Sequence, residues 1–125
     1  MIDKASRQVI CTAFAQGKCH DFRLFKESNT PIHPQTQVIT DSGYQGIGKV
    51  HANSRSPKKK SKNFPLSPED KQSNQALARQ RIGNENVIGM LKRFKIIAHR
   101  YRNRRKRFHL RFNLIAAIYN FELAF

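Results

Sequence analysis

The stretch Val38-Ile-Thr-Asp-Ser-Gly-Tyr-Gln-Gly46 gives the clearest indication of the fold. The β-branched residues within 36–40 predict a short strand, and the polar, glycine-containing sequence behind it predicts a turn. Functional groups in α/β sheets gather at the carboxyl ends of strands, which makes Asp41 a candidate functional residue. The alternative interpretation is an Asp that only caps the turn that follows it.

Weaker patterns on either side of this stretch predict an α/β arrangement. Residues 7–14 are rich in apolar and β-branched side chains and predict a strand, whereas residues 21–28 predict a helix with Asp21 as its N-cap. Residues 1–47 are therefore expected to form a strand-helix-strand part that carries Asp41. Residues 48–66 are polar and lysine-rich, and they predict a basic loop.

A long helix is predicted to follow this loop. Ser67-Pro-Glu-Asp70 is a strong helix start, because Ser is a good N-cap, Pro suits the first helical position and acidic residues complement the N-terminal dipole. Helical patterning continues to about Phe94. Gly83 and Gly89 are expected to weaken this helix or to split it in two.

The C-terminal end of the chain completes a helical part over residues 67–125. Residues 95–97 could form a brief extended segment. Residues 108–125 predict a helix that is apolar nearly all round, so we expect it to be buried on most of its sides.

The long helix carries a second candidate functional residue, Glu85. At about 100° per residue, Arg81, Glu85 and Lys92 fall on one polar face of the helix. The opposite face is apolar and consists of Val87, Met90, Leu91 and Phe94. A solvated ion pair between Arg81 and Glu85, four residues apart, is the alternative interpretation. Carboxylates from a strand end and a helix are suitable ligands for a divalent cation such as Mg²⁺.

Charge narrows the possible partners. The 125 residues include 24 Lys+Arg and 8 Asp+Glu, which gives a formal net charge of +16. This length allows one small domain, and the charge favours a nucleic-acid partner over an anionic membrane. No apolar run is long enough to span a bilayer, and no signal peptide is apparent, so we expect a cytoplasmic, nucleoid-associated protein without a membrane partner. Cys11 and Cys19 are expected to be free thiols.

The basic residues are concentrated near the C-terminus. Eighteen of the 24 basic side chains lie in residues 54–125. The densest cluster is expected to bind the phosphate backbone of DNA without reading its sequence. It consists of Arg100, Arg102, Arg104, Arg105, Lys106 and Arg107. Lysines within 58–62 are expected to make similar contacts from the loop.

Several motifs, in order along nearly the whole chain, resemble the C-terminal half of bacterial insertion-sequence transposases. The resemblance is to the IS-five-like group of the DDE superfamily, which implies an α/β, RNase H-like catalytic domain. None of the motifs is specific alone, but their order and spacing are. They are Gly17-Lys-Cys-His-Asp21, Val38 to Gly46 as quoted above, Arg81-Ile-Gly-Asn-Glu-Asn-Val-Ile-Gly-Met-Leu-Lys92, Tyr101-Arg-Asn-Arg-Arg-Lys-Arg-Phe108 and Asn113-Leu-Ile-Ala-Ala-Ile-Tyr-Asn120.

The resemblance implies a role for individual residues. Asp41 matches the second acid of the catalytic triad and Glu85 the third, so both are implied metal and catalytic residues. Arg81 and Lys92 match basic positions at which DNA phosphate contact is expected. The implied chemistry is hydrolysis at the ends of the element, dependent on Mg²⁺ or Mn²⁺, followed by attack of a freed 3′-hydroxyl on target DNA.

The chain also departs from the family pattern. The first acid of the triad lies on a strand N-terminal to everything in this sequence, and Asp3 does not match it. His20 and Asp21 match a recurrent pair outside the triad. We therefore expect a domain truncated at its N-terminus, with its first strands missing and little activity alone. Expected partners are the ends of the insertion sequence, target DNA, and either the missing N-terminal part of the transposase or a second copy of the chain.

Two other functions remain open on the sequence. One is a non-catalytic, basic nucleic-acid-binding module, such as a competitor for the ends of an element. The other is a ribosome-associated basic protein, which the composition alone would permit.

Overall fold

The computed structural model of the protein describes residues 1–100 and 105–125. These residues divide into two compact units, which we call the helical unit (Met1–Phe14 with Ile82–Phe125) and the sheet unit (Ala15–Arg81). The regular elements, in chain order, are α1 (Asp21–Glu27), β1 (Val38–Ile39), a 3-10 turn (Ile47–Lys49), β2 (Ser54–Arg55), α2 (Pro68–Lys92), α3 (Lys95–Ala98), a second 3-10 turn (Arg105–Arg107) and α4 (Phe108–Glu122).

The sheet unit contains a two-stranded parallel sheet. Val38 of β1 is paired with Ser54 of β2, and the ladder is extended by a hydrogen bond from the Thr40 N–H to the Arg55 carbonyl oxygen at 2.9 Å. Ile47 in the connection is only 2 % exposed and Leu77 of α2 is 7 % exposed. The predicted strand at 36–40 is confirmed, although it is shorter. The predicted loop at 48–66 is partly wrong, since β2 lies inside it.

Helix α1 begins one residue away from the predicted cap. His20 is the N-cap, and its ring nitrogen Nδ1 accepts a hydrogen bond from the Phe22 N–H at 3.3 Å. The prediction of Asp21 as N-cap was therefore wrong, because the imidazole satisfies the first free N–H and leaves Asp21 in the first turn. A carboxylate at that position still complements the positive end of the helix dipole.

Helix α2 starts where the sequence predicts. The Asp70 N–H donates to the Ser67 Oγ at 3.1 Å, which satisfies one of the free donors of the first turn. The helix continues without a break from Pro68 to Lys92, so the predicted split at Gly83 or Gly89 was wrong. A helical glycine costs about 1 kcal/mol, which is less than the loss of the buried apolar side chains on this helix. The Pro68–Arg81 part belongs to the sheet unit and the rest to the helical unit.

The core of the helical unit lies between α2 and α4. Its buried members are Val87, Leu91, Ile115 and Tyr119, with Phe94 and Phe112 among the half-buried residues packed against them. These positions follow the apolar faces that the helical periodicity predicts. Residues 95–98 form the short helix α3, so the predicted extended segment was wrong.

The predicted strand at 7–14 does not form a strand. Within the described part of the chain, the only strand-type pairing of this segment is the antiparallel bridge between Ile2 and Val9. The side-chain amide of Asn120 on α4 binds both backbone groups of Val9, accepting from its N–H at 2.8 Å and donating to its carbonyl oxygen at 2.9 Å. These hydrogen bonds replace those that a neighbouring strand would make.

Helix α4 is less buried than its composition predicts. Its inner face holds Ile115 and Tyr119, but Leu110, Leu114 and Phe121 are more than 60 % exposed on the outer face. We call this outer surface the α4 stripe. The expectation that the helix is buried on most sides was wrong, because the neighbouring elements of the helical unit cover one face only. No helix among the described residues is long and apolar enough to cross a membrane.

Candidate active site and DNA-binding residues

Asp41 lies in the tight turn that follows β1. Its Oδ1 accepts a hydrogen bond from the Gly43 N–H at 2.8 Å, and its carbonyl oxygen accepts from the Tyr44 N–H at 3.3 Å. A Cβ atom on Gly43 would lie 2.9 Å from the same Oδ1, closer than such atoms approach. A side chain at position 43 would therefore require the Asp41 carboxylate to move. The turn-capping interpretation of Asp41 is correct for one of its two oxygens.

The other carboxylate oxygen of Asp41 faces a cation. Arg81 of α2 places a guanidinium nitrogen 4.0 Å from Oδ2, and the side chains of Arg81 and Asp41 are 30 % and 42 % exposed. This is a loose, solvent-accessible ion pair, in which Asp41 keeps one oxygen available to other ligands. The sequence alone did not predict the contact, since the alternative for Arg81 was a pair with Glu85.

Tyr44 anchors the Asp41 turn to α1. Its ring centroid lies 5.7 Å from that of Phe22 and 6.1 Å from that of Phe25. Burial raises the pKa of the Tyr44 hydroxyl above its usual value, and the nearby charges of Asp21 and Asp41 raise it further. The sequence analysis did not identify Tyr44 as part of the site. Its only signal in the sequence was its place within the Asp41-Ser-Gly-Tyr44 turn.

Glu85 and Lys92 lie on the part of α2 that belongs to the helical unit. Both are exposed, whereas Val87 and Leu91 on the same helix are 1 % and 5 % exposed. The predicted apolar face is confirmed at Val87 and Leu91 but was wrong at Met90, which is 46 % exposed because the neighbouring elements of the helical unit do not cover it. The structure brings Asp41 and Arg81 together within the sheet unit, and it leaves Glu85 and Lys92 accessible in the helical unit.

The described members of the basic cluster are accessible. Arg100, Lys106 and Arg107 are exposed, and the last two belong to the 3-10 turn that precedes α4. Arg105 begins that turn. Arg102 and Arg104 of the predicted cluster lie outside the described residues. The exposed ammonium and guanidinium groups can bind phosphate oxygens in the way that the sequence predicts.

Asp41 and Glu85 are the candidate ligands for a divalent cation. Asp41 and Glu85 supply the hard oxygen ligands that Mg²⁺ prefers, and both are reachable from solvent. Among residues 1–100 and 105–125, no group of three or more His, Cys, Asp or Glu side chains could hold a metal ion. The two residues therefore fit as individual ligands that need others from substrate, water or another segment.

Comparison with known proteins identifies the class. A family model described as "Transposase DDE domain" matches residues 1–121. A probable transposase for insertion sequence element IS702, from Microchaete diplosiphon, is 48 % identical over 124 residues. The chain belongs to the transposase DDE domain family.

The match is unequal in length. It covers 99 % of this chain but 45 % of the relative, so the chain spans less than half the length of that protein. No solved structure gives a significant match.

Proposed function

We propose that the chain is part of a transposase and acts in the binding, cleavage and strand transfer of DNA during transposition of an insertion sequence. Family membership over residues 1–121 is the observation that carries this proposal. The accessible carboxylate of Asp41 at the end of a parallel strand supports it, as does an α/β composition compatible with an RNase H-like domain. Such a protein would act on DNA in the bacterial nucleoid.

Asp41 and Glu85 are the proposed catalytic residues. Each would donate carboxylate oxygens to Mg²⁺ or Mn²⁺, which stabilises the attacking and leaving oxygens of a phosphodiester when it is bound. The Gly43 N–H fixes the orientation of Asp41 by holding Oδ1, so the ligand geometry does not depend on the metal alone. Arg81 offsets the negative charge of Asp41 until a cation or DNA takes its place.

Basic side chains are proposed to position the DNA. Arg81 precedes Glu85 and Lys92 follows it in the sequence of α2, and each is proposed to contact a DNA phosphate. The cluster at Arg100, Arg102, Arg104, Arg105, Lys106 and Arg107 would hold more of the backbone. Contacts of this kind supply affinity without selecting a sequence.

We further propose that cleavage needs a segment that corresponds to the upstream part of the relative, supplied in cis or in trans. The first acid of the family's triad has no counterpart in this sequence, and the relative is more than twice as long as the match. This upstream segment would supply the first acidic ligand and the first strands of the domain. A second copy of the present chain is the other candidate partner.

A non-catalytic DNA-binding module is the second candidate function. The exposed cations at Arg100, Lys106 and Arg107 support it, since they need no metal site to bind DNA. Under this function Asp41 would only cap its turn, as its bond with the Gly43 N–H does.

The deciding experiment combines the chain with the upstream part of the IS702 transposase and measures nicking of DNA that carries the ends of that element. We expect Mg²⁺-dependent nicking by the mixture, at least 100-fold faster than by either chain alone. Asp41→Asn and Glu85→Gln should each abolish it, whereas Glu27→Gln, which removes an exposed carboxylate of α1, should not.

Three outcomes separate the alternatives. Nicking by this chain alone, lost in Glu85→Gln, would contradict the need for a partner but keep the catalytic function. Nicking unaffected by Asp41→Asn and Glu85→Gln would remove both residues from the chemistry. DNA binding by a mixture that never nicks would favour the non-catalytic module.

A further inference from the structure

The lysine-rich segment at residues 57–64 is bonded at its first two residues to other parts of the sheet unit. The side-chain amide of Asn74 on α2 binds both backbone groups of Lys58, accepting from its N–H and donating to its carbonyl oxygen, each at 2.9 Å. The Lys58 Nζ lies 2.6 Å from Asp70 Oδ1, and Gln45 donates to the Pro57 carbonyl oxygen at 2.9 Å. We call residues 57–64 the lysine arm.

The arm ends in a hydrogen-bonded turn. The Ser61 N–H donates to the Phe64 carbonyl oxygen at 3.2 Å, and the Phe64 N–H donates back to the Ser61 Oγ at 3.1 Å. This pair of bonds presents the Phe64 ring outward, at 78 % exposure. A single exposed apolar residue is ordinary on a protein surface, so exposure alone does not indicate function.

The surroundings of Phe64 make its exposure informative. Lys59, Lys60 and Lys62 are exposed on the same arm, and they take part in no hydrogen bond or ion pair within residues 1–100 and 105–125. Asp70, the acidic residue that contacts the arm, is already paired with Lys58, which lowers the pKa of its carboxyl group below the usual value. The tip of the arm thus combines three uncompensated cations with one exposed aromatic ring.

We propose that the lysine arm binds DNA that has unpaired bases, with Phe64 stacked on an exposed base and the lysines on the flanking phosphates. Aromatic stacking on single-stranded nucleic acid tolerates any base, because every base has a π-face. Bases inside a duplex have both faces covered by their neighbours, so the ring finds a partner only at a frayed end, a nick or an overhang. The lysines contact the phosphates of paired and unpaired DNA alike.

The clamped backbone favours this function over a free loop. A flexible segment loses conformational freedom when it binds, whereas the bonds from Asn74 and Gln45 fix the start of the arm and the bonds between Ser61 and Phe64 close its end. The inference rests on the proposed function only in taking DNA as the partner. It requires no metal and neither Asp41 nor Glu85.

The test is fluorescence anisotropy of the full chain in 50 mM salt without divalent cations. The probes are a 20-base-pair blunt duplex and the same duplex with a four-nucleotide overhang. We expect Phe64→Ala to weaken overhang binding about 5- to 100-fold and blunt-duplex binding less than threefold. Phe64→Tyr should restore the overhang preference. Phe125→Ala, which removes another exposed aromatic ring, is the matched control and should change neither affinity.

Two further variants separate stacking from charge. Lys60→Ala with Lys62→Ala should weaken binding to both probes and reduce the steepness of the salt dependence, whereas Phe64→Ala should leave that steepness unchanged. Asn74→Ala should weaken overhang binding in the same direction as Phe64→Ala, because it releases the arm. Circular dichroism of each variant verifies that the fold is retained.

Other results overturn the proposal. If Phe64→Ala lowers the affinity for both probes equally, or if Phe125→Ala lowers it to a similar extent, the arm binds DNA through its charge alone and not through stacking. Binding to vesicles with 30 % phosphatidylserine that is lost in Phe64→Ala, with DNA binding unchanged, would assign the arm to a membrane. If Phe64→Ala causes no selective loss of overhang binding while Asp41-dependent nicking is intact, this inference alone is overturned. If the chain binds no DNA at 50 mM salt, the proposed function is overturned too.

Discussion

Gly43 and Asp41 form the most constrained pair of neighbours in the candidate site. A methyl group on residue 43 would meet Asp41 Oδ1 at 2.9 Å, so Gly43→Ala must turn the carboxylate away and break its bond with the residue 43 N–H. We expect a stability loss of about 1 kcal/mol in urea unfolding. We also expect at least a tenfold loss of nicking in the two-chain assay.

Gly17→Ala is the control for this prediction. A Cβ atom at position 17 meets nothing within 4 Å, so this variant should match the wild type in both measurements. Full nicking by Gly43→Ala would show that the turn tolerates a displaced carboxylate, and that Asp41 Oδ1 need not be held by the backbone.

The raised pKa of Tyr44 leads us to expect that the folded protein loses stability at alkaline pH. This pKa is raised in the folded protein, mainly by burial, so folding favours the neutral hydroxyl. This contribution is complete below the ordinary tyrosine pKa of about 10 and is lost as pH rises through the folded value. Urea unfolding between pH 8 and 11.5 should therefore show a steeper loss of stability for the wild type than for Tyr44→Phe. Parallel curves would contradict the prediction.

Glycine in α2 gives a prediction at the level of a single element. Gly89 is exposed on a continuous helix, and a Cβ atom there would meet nothing within 4 Å. Gly89→Ala should raise the free energy of unfolding by about 0.5–1 kcal/mol. Gly46→Ala should act in the opposite direction, since Gly46 has φ = +87°, a backbone conformation that alanine adopts at a cost of about 1–2 kcal/mol. Equal shifts in the two variants would contradict the argument.

In each of two helices, an asparagine side chain forms a pair of hydrogen bonds with the backbone of a non-helical segment. Asn120 of α4 binds the backbone of Val9, and Asn74 of α2 binds that of Lys58, each through one acceptor and one donor. We expect Asn120→Ala to cost about 1–3 kcal/mol and to speed hydrogen exchange at the Val9 amide. Asn120→Asp keeps the acceptor and should protect that amide better than Asn120→Ala does. Unchanged exchange in both would mean that the clamp does not hold the segment.

The elements that the sequence predicted well have local causes. The Ser67 cap and the apolar periodicity of α2 depend only on residues close together in the sequence. Helix α4 begins at Phe108 as predicted. Strand β2 could not be predicted, because Ser54 and Arg55 have no strand character and pair only where β1 passes beside them. The strand predicted at 7–14 was wrong for the opposite reason: its residues have strand character, but no strand of the described residues lies beside them. The backbone groups of Val9 bind instead to the side chain of Asn120, 111 residues away.

The candidate site was predictable residue by residue but not as an arrangement. The position of Asp41 behind a strand follows from a short pattern, and the accessibility of Glu85 and Lys92 follows from helical periodicity. The contact between Asp41 and Arg81 joins residues 40 positions apart, so no local pattern carries it. The anchoring of the lysine arm could not be predicted either, because it depends on contacts between residues that are distant in the sequence. Composition alone indicated only a basic loop.

Charge governs the behaviour of the whole molecule toward DNA. With a formal net charge of +16, binding to duplex DNA should fall steeply with salt, by about 10³–10⁵ between 50 and 200 mM if six to ten phosphates are contacted. Lys106→Ala with Arg107→Ala should flatten the slope measured by anisotropy. Arg23→Ala should leave it unchanged, because Arg23 is paired with Glu27 on α1. A flat salt dependence in the wild type would contradict electrostatic binding.

The α4 stripe has a practical consequence for handling the protein. High salt is needed to strip nucleic acid from so cationic a chain, yet the same salt screens the repulsion between molecules. Sulfate and phosphate also strengthen the association of apolar surfaces such as Leu110, Leu114 and Phe121. Purification in concentrated sulfate should therefore yield more self-associated material than purification in chloride of the same ionic strength, which removes the DNA without strengthening apolar association.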